Sequence, residues 1–278
     1  MTTTTLQARV TTTPPVTGDL SALGVLHGEW VKLLSLRSTW WMVAVTIVTM
    51  TLLAVGVAPT ADELVVFAAE TGAEAHGAEL VVVGFQIGMV TLAVLGALLM
   101  TGEYGTGMAR STFAAVPSRL PVLAAKAAAL VVLTLLTTVL SIVIATVASA
   151  PALSAHDLVP RLDQAHTWQA FGGVAFFFLA VALIALGLGA VVRHTAGTLT
   201  AVLGLLLLVP GLLQFVAVDW VQDVVSLMPV PAAVAFIGTS GLMWTNEVLS
   251  PWQGVAVVAG YAVVALAAGA AVLHRRDV

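Results

Sequence analysis

The first place where residue types could do covalent chemistry is Gly238-Thr239-Ser240-Gly241, a serine flanked by glycines in the pattern G-x-S-G. A serine nucleophile needs a base within hydrogen-bond reach. His274, the histidine on the last apolar run, stands at that run's far end. A helix of ~20 residues at ~1.5 Å each would hold the two about 30 Å apart. His76, His156 and His166 belong to other connections. No catalytic residue is assigned.

His156 and Asp157 with Asp163 and His166, or His76 with Glu79, offer the nitrogen and oxygen donors that transition metals take. Polar loops commonly have this content, so no metal ligand is assigned. The chain has no cysteine, which excludes thiol catalysis, disulfides and cysteine metal sites. Its lysines are Lys32, after Val31, and Lys126, after Ala125. Neither closes a G-x-x-x-x-G-K-[ST] loop, so the chain lacks that route to binding and splitting ATP. No basic tract with interleaved aromatics points to nucleic acid.

The elements that must position these residues follow from composition. Of 278 residues, 60% are hydrophobic and 9% charged, and the mean hydropathy is +1.07. Soluble domains average about 25% charged residues. The solvent over much of this surface is therefore lipid. Six apolar runs, Thr39–Ala58, Val81–Met100, Leu123–Ala148, Phe171–Val192, Leu199–Val218 and Val255–Leu273, are near or above the ~20 residues a crossing helix needs. They do not alternate as barrel strands would. The fold class read from this is an all-α integral membrane protein of six transmembrane helices.

The placement of charge predicts orientation. Arg9, Lys32, Arg37, Arg110, Arg119, Lys126, Arg193, Arg275 and Arg276 fall on one side of the runs, and Arg161 alone on the other. The positive-inside rule puts that side, with both termini, in the cytoplasm. Residues 1–19 are Thr- and Pro-rich and read as a disordered cytoplasmic tail. Residues 20–278 form the transmembrane domain. Within Leu20–Ser38, the residues Leu23, Leu26, Trp30, Leu33 and Leu34 share a stripe at helical spacing. This predicts an amphipathic interfacial helix. The connection Asp219–Gln253 is apolar but broken by Pro229, Pro231, Gly238 and Gly241, which predicts two short helices dipping into the membrane from outside.

Inside the spans no carboxylate offers a site for ion coupling. Gln86 and Gln214 are the polar groups nominated for a substrate path. A transporter built this way must take its energy from a partner.

Three stretches resemble the permease subunits of ABC-2 type ABC transporters, in the form common in actinobacteria. They are "GEWVKLLSLRSTWW" from Gly28, "GEYGTGMARSTFAAVPSRLPVLAAK" from Gly102, and the proline-broken segment before the last span. The very short connection "RHTAGT" departs from that pattern. The resemblance implies a multi-pass protein of the bacterial plasma membrane that exports a drug, peptide or lipid. It implies two copies of a separate ATP-binding subunit, which holds the ATP and magnesium, and a second permease copy. This chain would carry no cofactor and would not be an enzyme. The resemblance also implies a coupling helix at Met108–Ala115, entered through Gly105 and Gly107 and ended by Pro117. Glu103 and Tyr104 would be buried at the junction, with Arg110 and Arg119 reaching the ATPase and Glu29, Trp30 and Lys32 bracing the contact. The alternatives are a membrane sensor or immunity protein that transports nothing, and a rhomboid-like intramembrane serine protease.

Overall fold

The structure is a computed structural model that describes residues 21–71, 76–108, 119–239 and 249–275. All regular elements among these are helical: α1 (Ala22–Ser35), α2 (Arg37–Val57), α3 (Ala61–Thr71), α4 (Gly77–Val82), α5 (Phe85–Thr106), α6 (Arg119–Ser154), α7 (Ala165–Val192), α8 (Thr195–Leu203), α9 (Val209–Leu213), α10 (Asp219–Ser226), α11 (Pro229–Ile237) and α12 (Pro251–Arg275). A 3₁₀ turn joins α2 to α3, and a π turn at Gly204–Leu208 joins α8 to α9.

Six helical segments are long and apolar enough to cross a membrane: Arg37–Val66, Gly77–Thr106, Arg119–Ser154, Ala165–Val192, Thr195–Leu213 and Pro251–Arg275. They coincide with the six apolar runs and extend most of them. The third, at 36 residues, is about 54 Å long and overruns the ~30 Å hydrocarbon layer. The short fifth span contains the π turn and Pro210, each of which interrupts regular α-helical bonding.

Burial separates the centre from the rim. The second and fourth spans are 72% and 67% buried, whereas the first, fifth and sixth are at most 28%. Helices in lipid gain little from hiding apolar surface, so close packing must hold them. Small residues supply it. A Cβ on Gly96 of α5 would lie 2.3 Å from the Ala182 carbonyl oxygen of α7. A Cβ on Gly187 of α7 would lie 2.4 Å from the Ala265 carbonyl carbon of α12. Backbones meet at both places, and no side chain can yield.

Most Ser and Thr hydroxyls of the spans are returned to the backbone, although those of Thr39, Thr51 and Thr134 are buried without a partner. Thr137, Thr138, Ser141 and Ser149 of α6 each donate to the carbonyl four residues earlier, at 2.7–2.8 Å. Thr46 of α2 and Thr91 of α5 bond across the helix pair. A polar group left unbonded in hydrocarbon would cost several kcal/mol or more.

The proline-broken segment before the last span contains two helices, as the sequence predicts. α10 and α11 meet at 69°. Val221 and Val225 turn inward from α10, while α11 is buried over most of its length against α7 and α12.

Two alanine substitutions on α7 test the packing. Gly187→Ala should lower stability by about 1–3 kcal/mol through the clash with Ala265. Gly172→Ala, where a Cβ meets nothing within 4 Å, should be neutral or gain up to about 1 kcal/mol. Thermal unfolding in detergent reads both, and equal midpoints for the two variants would remove the argument.

Candidate functional site: a buried ring of charges

Four ionisable side chains from three helices meet at the end of the bundle where Lys and Arg collect. Glu29 and Lys32 stand one turn apart on α1, Glu103 lies in the last turn of α5, and Lys126 lies two turns into α6. Lys126 Nζ is 2.6 Å from Glu29 Oε2 and 2.8 Å from Glu103 Oε1. Lys32 Nζ is 2.8 Å from Glu29 Oε1 and 3.0 Å from Glu103 Oε1. Two carboxylates and two ammonium groups thus alternate around a closed, neutral ring.

The ring is dry on one side. Side-chain exposure is 1% for Lys126, 4% for Glu29, 12% for Glu103 and 33% for Lys32. An isolated ammonium at the Lys126 position would lose several kcal/mol of hydration, and the two carboxylates must offset that. Local helix electrostatics do not explain the site. Glu103 stands at a helix C-terminus, where the dipole disfavours an anion. Tertiary pairing overrides that preference.

Burial alone would lower the Lys32 pKa, but the hydrogen bonds and charges of Glu29 and Glu103 outweigh it and leave the pKa raised from 10.5. Stabilisation from a raised lysine is full below its unfolded pKa and is lost only as pH climbs through the folded value. The Lys32 arm therefore stays closed throughout the physiological range.

The helices carry these groups for identifiable reasons. Ser21 caps α1, its Oγ accepting from the Gly24 amide at 3.0 Å. Leu33 is fully buried, and Leu26, Trp30 and Leu34 pack against the main core. Leu23, at the outer end of the predicted stripe, is exposed instead. Glu29 turns with Leu33 onto the packed face, which an amphipathic pattern alone would not have placed there. The break at Leu36 is pinned by Trp40, whose Nε1 donates to the Leu34 carbonyl at 2.9 Å.

Other contacts fasten the same end. Arg119 Nη1 donates to the Leu273 carbonyl at 3.1 Å, joining α6 to α12. Thr195 donates to Thr101 at 2.8 Å, joining α8 to α5. Arg193 caps α7 in the left-handed region with φ 58 and lies over the Tyr104 ring, 5.3 Å from its centroid. Gly107 ends α5 with φ 75, a conformation costly for a side chain with a Cβ although the space around it is open. Met108 is exposed. Arg110 and the rest of the expected coupling helix lie outside the described residues, as does Ser240.

Glu29, Lys32 and Glu103, nominated from sequence, do converge. Lys126, their central partner, was read only as a basic residue near the start of a span. The signal lay in charges out of place: a lysine inside an apolar run, and the acids Glu29 and Glu103 beside spans on the basic side. Gln86 is half-buried on α5. Gln214 is exposed just past the end of its span at Leu213, and its amide donates to the Gly211 carbonyl at 3.1 Å.

At the opposite, acidic end, the metal candidates are dispersed. His156 pairs with Asp62 at 2.7 Å, and Asp163 with Arg161 at 2.8 Å. His166 lies 3.1 Å from Glu79 and stacks on His76 with ring centroids 3.8 Å apart. Among the described residues, no three such side chains form a group that could hold a metal ion.

Removing one ring member separates the buried from the exposed contribution. Lys126→Met leaves two buried carboxylates short of charge and should cost about 3–5 kcal/mol. Lys32→Met, at a partly solvated position, should cost about 1 kcal/mol or less. Glu29→Gln combined with Lys126→Met should recover part of the loss. The order of the three unfolding midpoints is the readout, and equal effects of the two single changes would contradict the ring.

The chain matches no protein-family model and no curated protein.

Proposed function

We propose that this chain is the membrane-spanning permease subunit of an ABC-2 type transporter, driven by a separate ATP-hydrolysing subunit. In this reading the chain is not itself an enzyme. It pairs with a second permease copy, binds two ATPase copies and exports an amphipathic compound across a bacterial plasma membrane, with both termini in the cytoplasm.

The observation that carries this reading is the charge ring. It locks α1 to α5 and α6, the two helices flanking the connection 107–118. That connection is the part expected to meet the ATPase. Work delivered there reaches the spans only if the corner behind it is stiff. Two lysines and two carboxylates cross-link that corner, and the contacts of Arg119 with Leu273 and of Thr195 with Thr101 extend it towards α12 and α8. The absence of a carboxylate within the apolar runs fits a transporter whose energy comes from outside the chain.

The direct test is to tag the chain, extract it from its native membrane and identify what accompanies it. A P-loop ATPase is the expected companion. Arg110→Glu and Arg119→Glu should each weaken that association and lower transport-coupled ATP hydrolysis. Gly107→Val should leave the ATPase bound but uncouple it, because φ 75 is strained for a β-branched residue. Recovery without any ATPase, together with labelling of position 110 from outside intact cells, would overturn the reading.

A further inference from the structure

The ring accounts for Glu29, Glu103, Lys32 and Lys126, but the same end of the bundle holds another, half-buried cation that it leaves unused. Nε and Nη2 of Arg193 are sealed from solvent and have no hydrogen-bond partner. The hydroxyl of Tyr104, the residue over whose ring this guanidinium lies, is likewise buried and unpartnered. Donors stripped of water and given no acceptor are costly, and a guanidinium more so than a neutral group. The backbone holds the cation there, since Arg193 occupies the left-handed region as the cap of α7.

No acid of the described chain can answer it. Among the described residues, Glu29 and Glu103 are the acids at this end, and each is already held by two ammonium groups. The residues between Met108 and Arg119 include Arg110 and no acid. Arg193 and Tyr104 therefore offer a guanidinium and a hydroxyl donor side by side, with no acceptor on their buried atoms.

We propose that this site takes a phosphate group, supplied by the headgroup of an anionic phospholipid. The planar fork of arginine matches the oxygens of a phosphate two at a time, which an ammonium cannot do. The tyrosine hydroxyl would donate a further bond. The location selects the lipid source. Tyr104 ends one apolar span and Arg193 ends another, so the site lies at headgroup depth, where basic pockets between spans hold anionic lipids. Inorganic phosphate shares the recognising chemistry and is tested separately. The inference does not depend on the transport reading, and no ATPase enters its test.

The experiment uses the full chain purified in a neutral detergent. Thermal unfolding is followed after adding phosphatidylglycerol, phosphatidylcholine or inorganic phosphate. Phosphatidylglycerol should raise the wild-type midpoint by about 5 °C more than phosphatidylcholine does. Arg193→Gln should lose most of that increment, and Arg193→Lys should keep a smaller part. Arg161→Gln, at the acidic end, should keep it all. Tyr104→Phe guards against a variant that simply fails to fold. It deletes an unpartnered hydroxyl, so without lipid it should be at least as stable as wild type, while its phosphatidylglycerol increment shrinks. An equal increment from inorganic phosphate, lost in Arg193→Gln, supports the phosphate site and transfers it from lipid to free anion. Equal increments from the two lipids with none from phosphate, or a full increment in both Arg193→Gln and Tyr104→Phe, overturn the proposal.

Discussion

A lysine ammonium with 1% of its side chain exposed is the constraint on which the basic end of this bundle depends. Lys126 cannot hold its charge in that place without an anion, and one carboxylate would leave donors unmet. It has two, from different helices, and each is shared with Lys32. Three elements are thereby fixed relative to one another. α1 is held against α6 in a single register. Replacing such a network by apolar residues can be neutral in stability, whereas removing one member cannot. Its contribution is then more to uniqueness of arrangement than to net free energy.

The bundle behind the ring is held by another kind of specificity. Between α5 and α7, and between α7 and α12, glycine lets backbones approach where any side chain would collide. Close contact of this sort is what lipid-embedded helices have in place of a hydrophobic driving force. The second and fourth spans form the buried centre, and the less buried first, fifth and sixth lie around them. A stiff centre joined to a cross-linked basic end is a construction that can carry a displacement from one face to the other. A rim of thinly covered spans leaves surface for lipid or for another chain.

Much of the fold was legible before any coordinates, because lipid imposes a strong rule: a crossing segment must be long, apolar and internally bonded. The six runs became six helical segments, and the segment broken by Pro229 and Pro231 contains a bent helix pair. Of the two glycines that the resemblance placed at a turn, Gly107 takes the left-handed conformation, whereas Gly105 lies inside α5. Less legible was Lys126, since hydropathy averages a single charge away within a run and position alone reads it as a basic residue flanking a span. Arg193, in the short connection after the fourth run, likewise reads only as a basic residue flanking a span. Gln214 falls inside the apolar run Leu199–Val218, yet its helix ends at Leu213, a boundary that an apolar composition does not mark.

By itself the sequence determined that the chain is helical, how many segments are long and apolar enough to cross lipid, and which ends gather positive charge. These are properties of consecutive residues, and water and hydrocarbon sort consecutive residues without reference to partners. The tertiary structure alone decided that Glu29, Lys32, Glu103 and Lys126 belong to one site, that Arg193 lies over Tyr104, and that His166 pairs with Glu79 rather than with its neighbours in the chain. A buried charge selects its partner by distance in space, and residues 97 apart in sequence come within 2.6 Å only when the packing of whole helices brings them there.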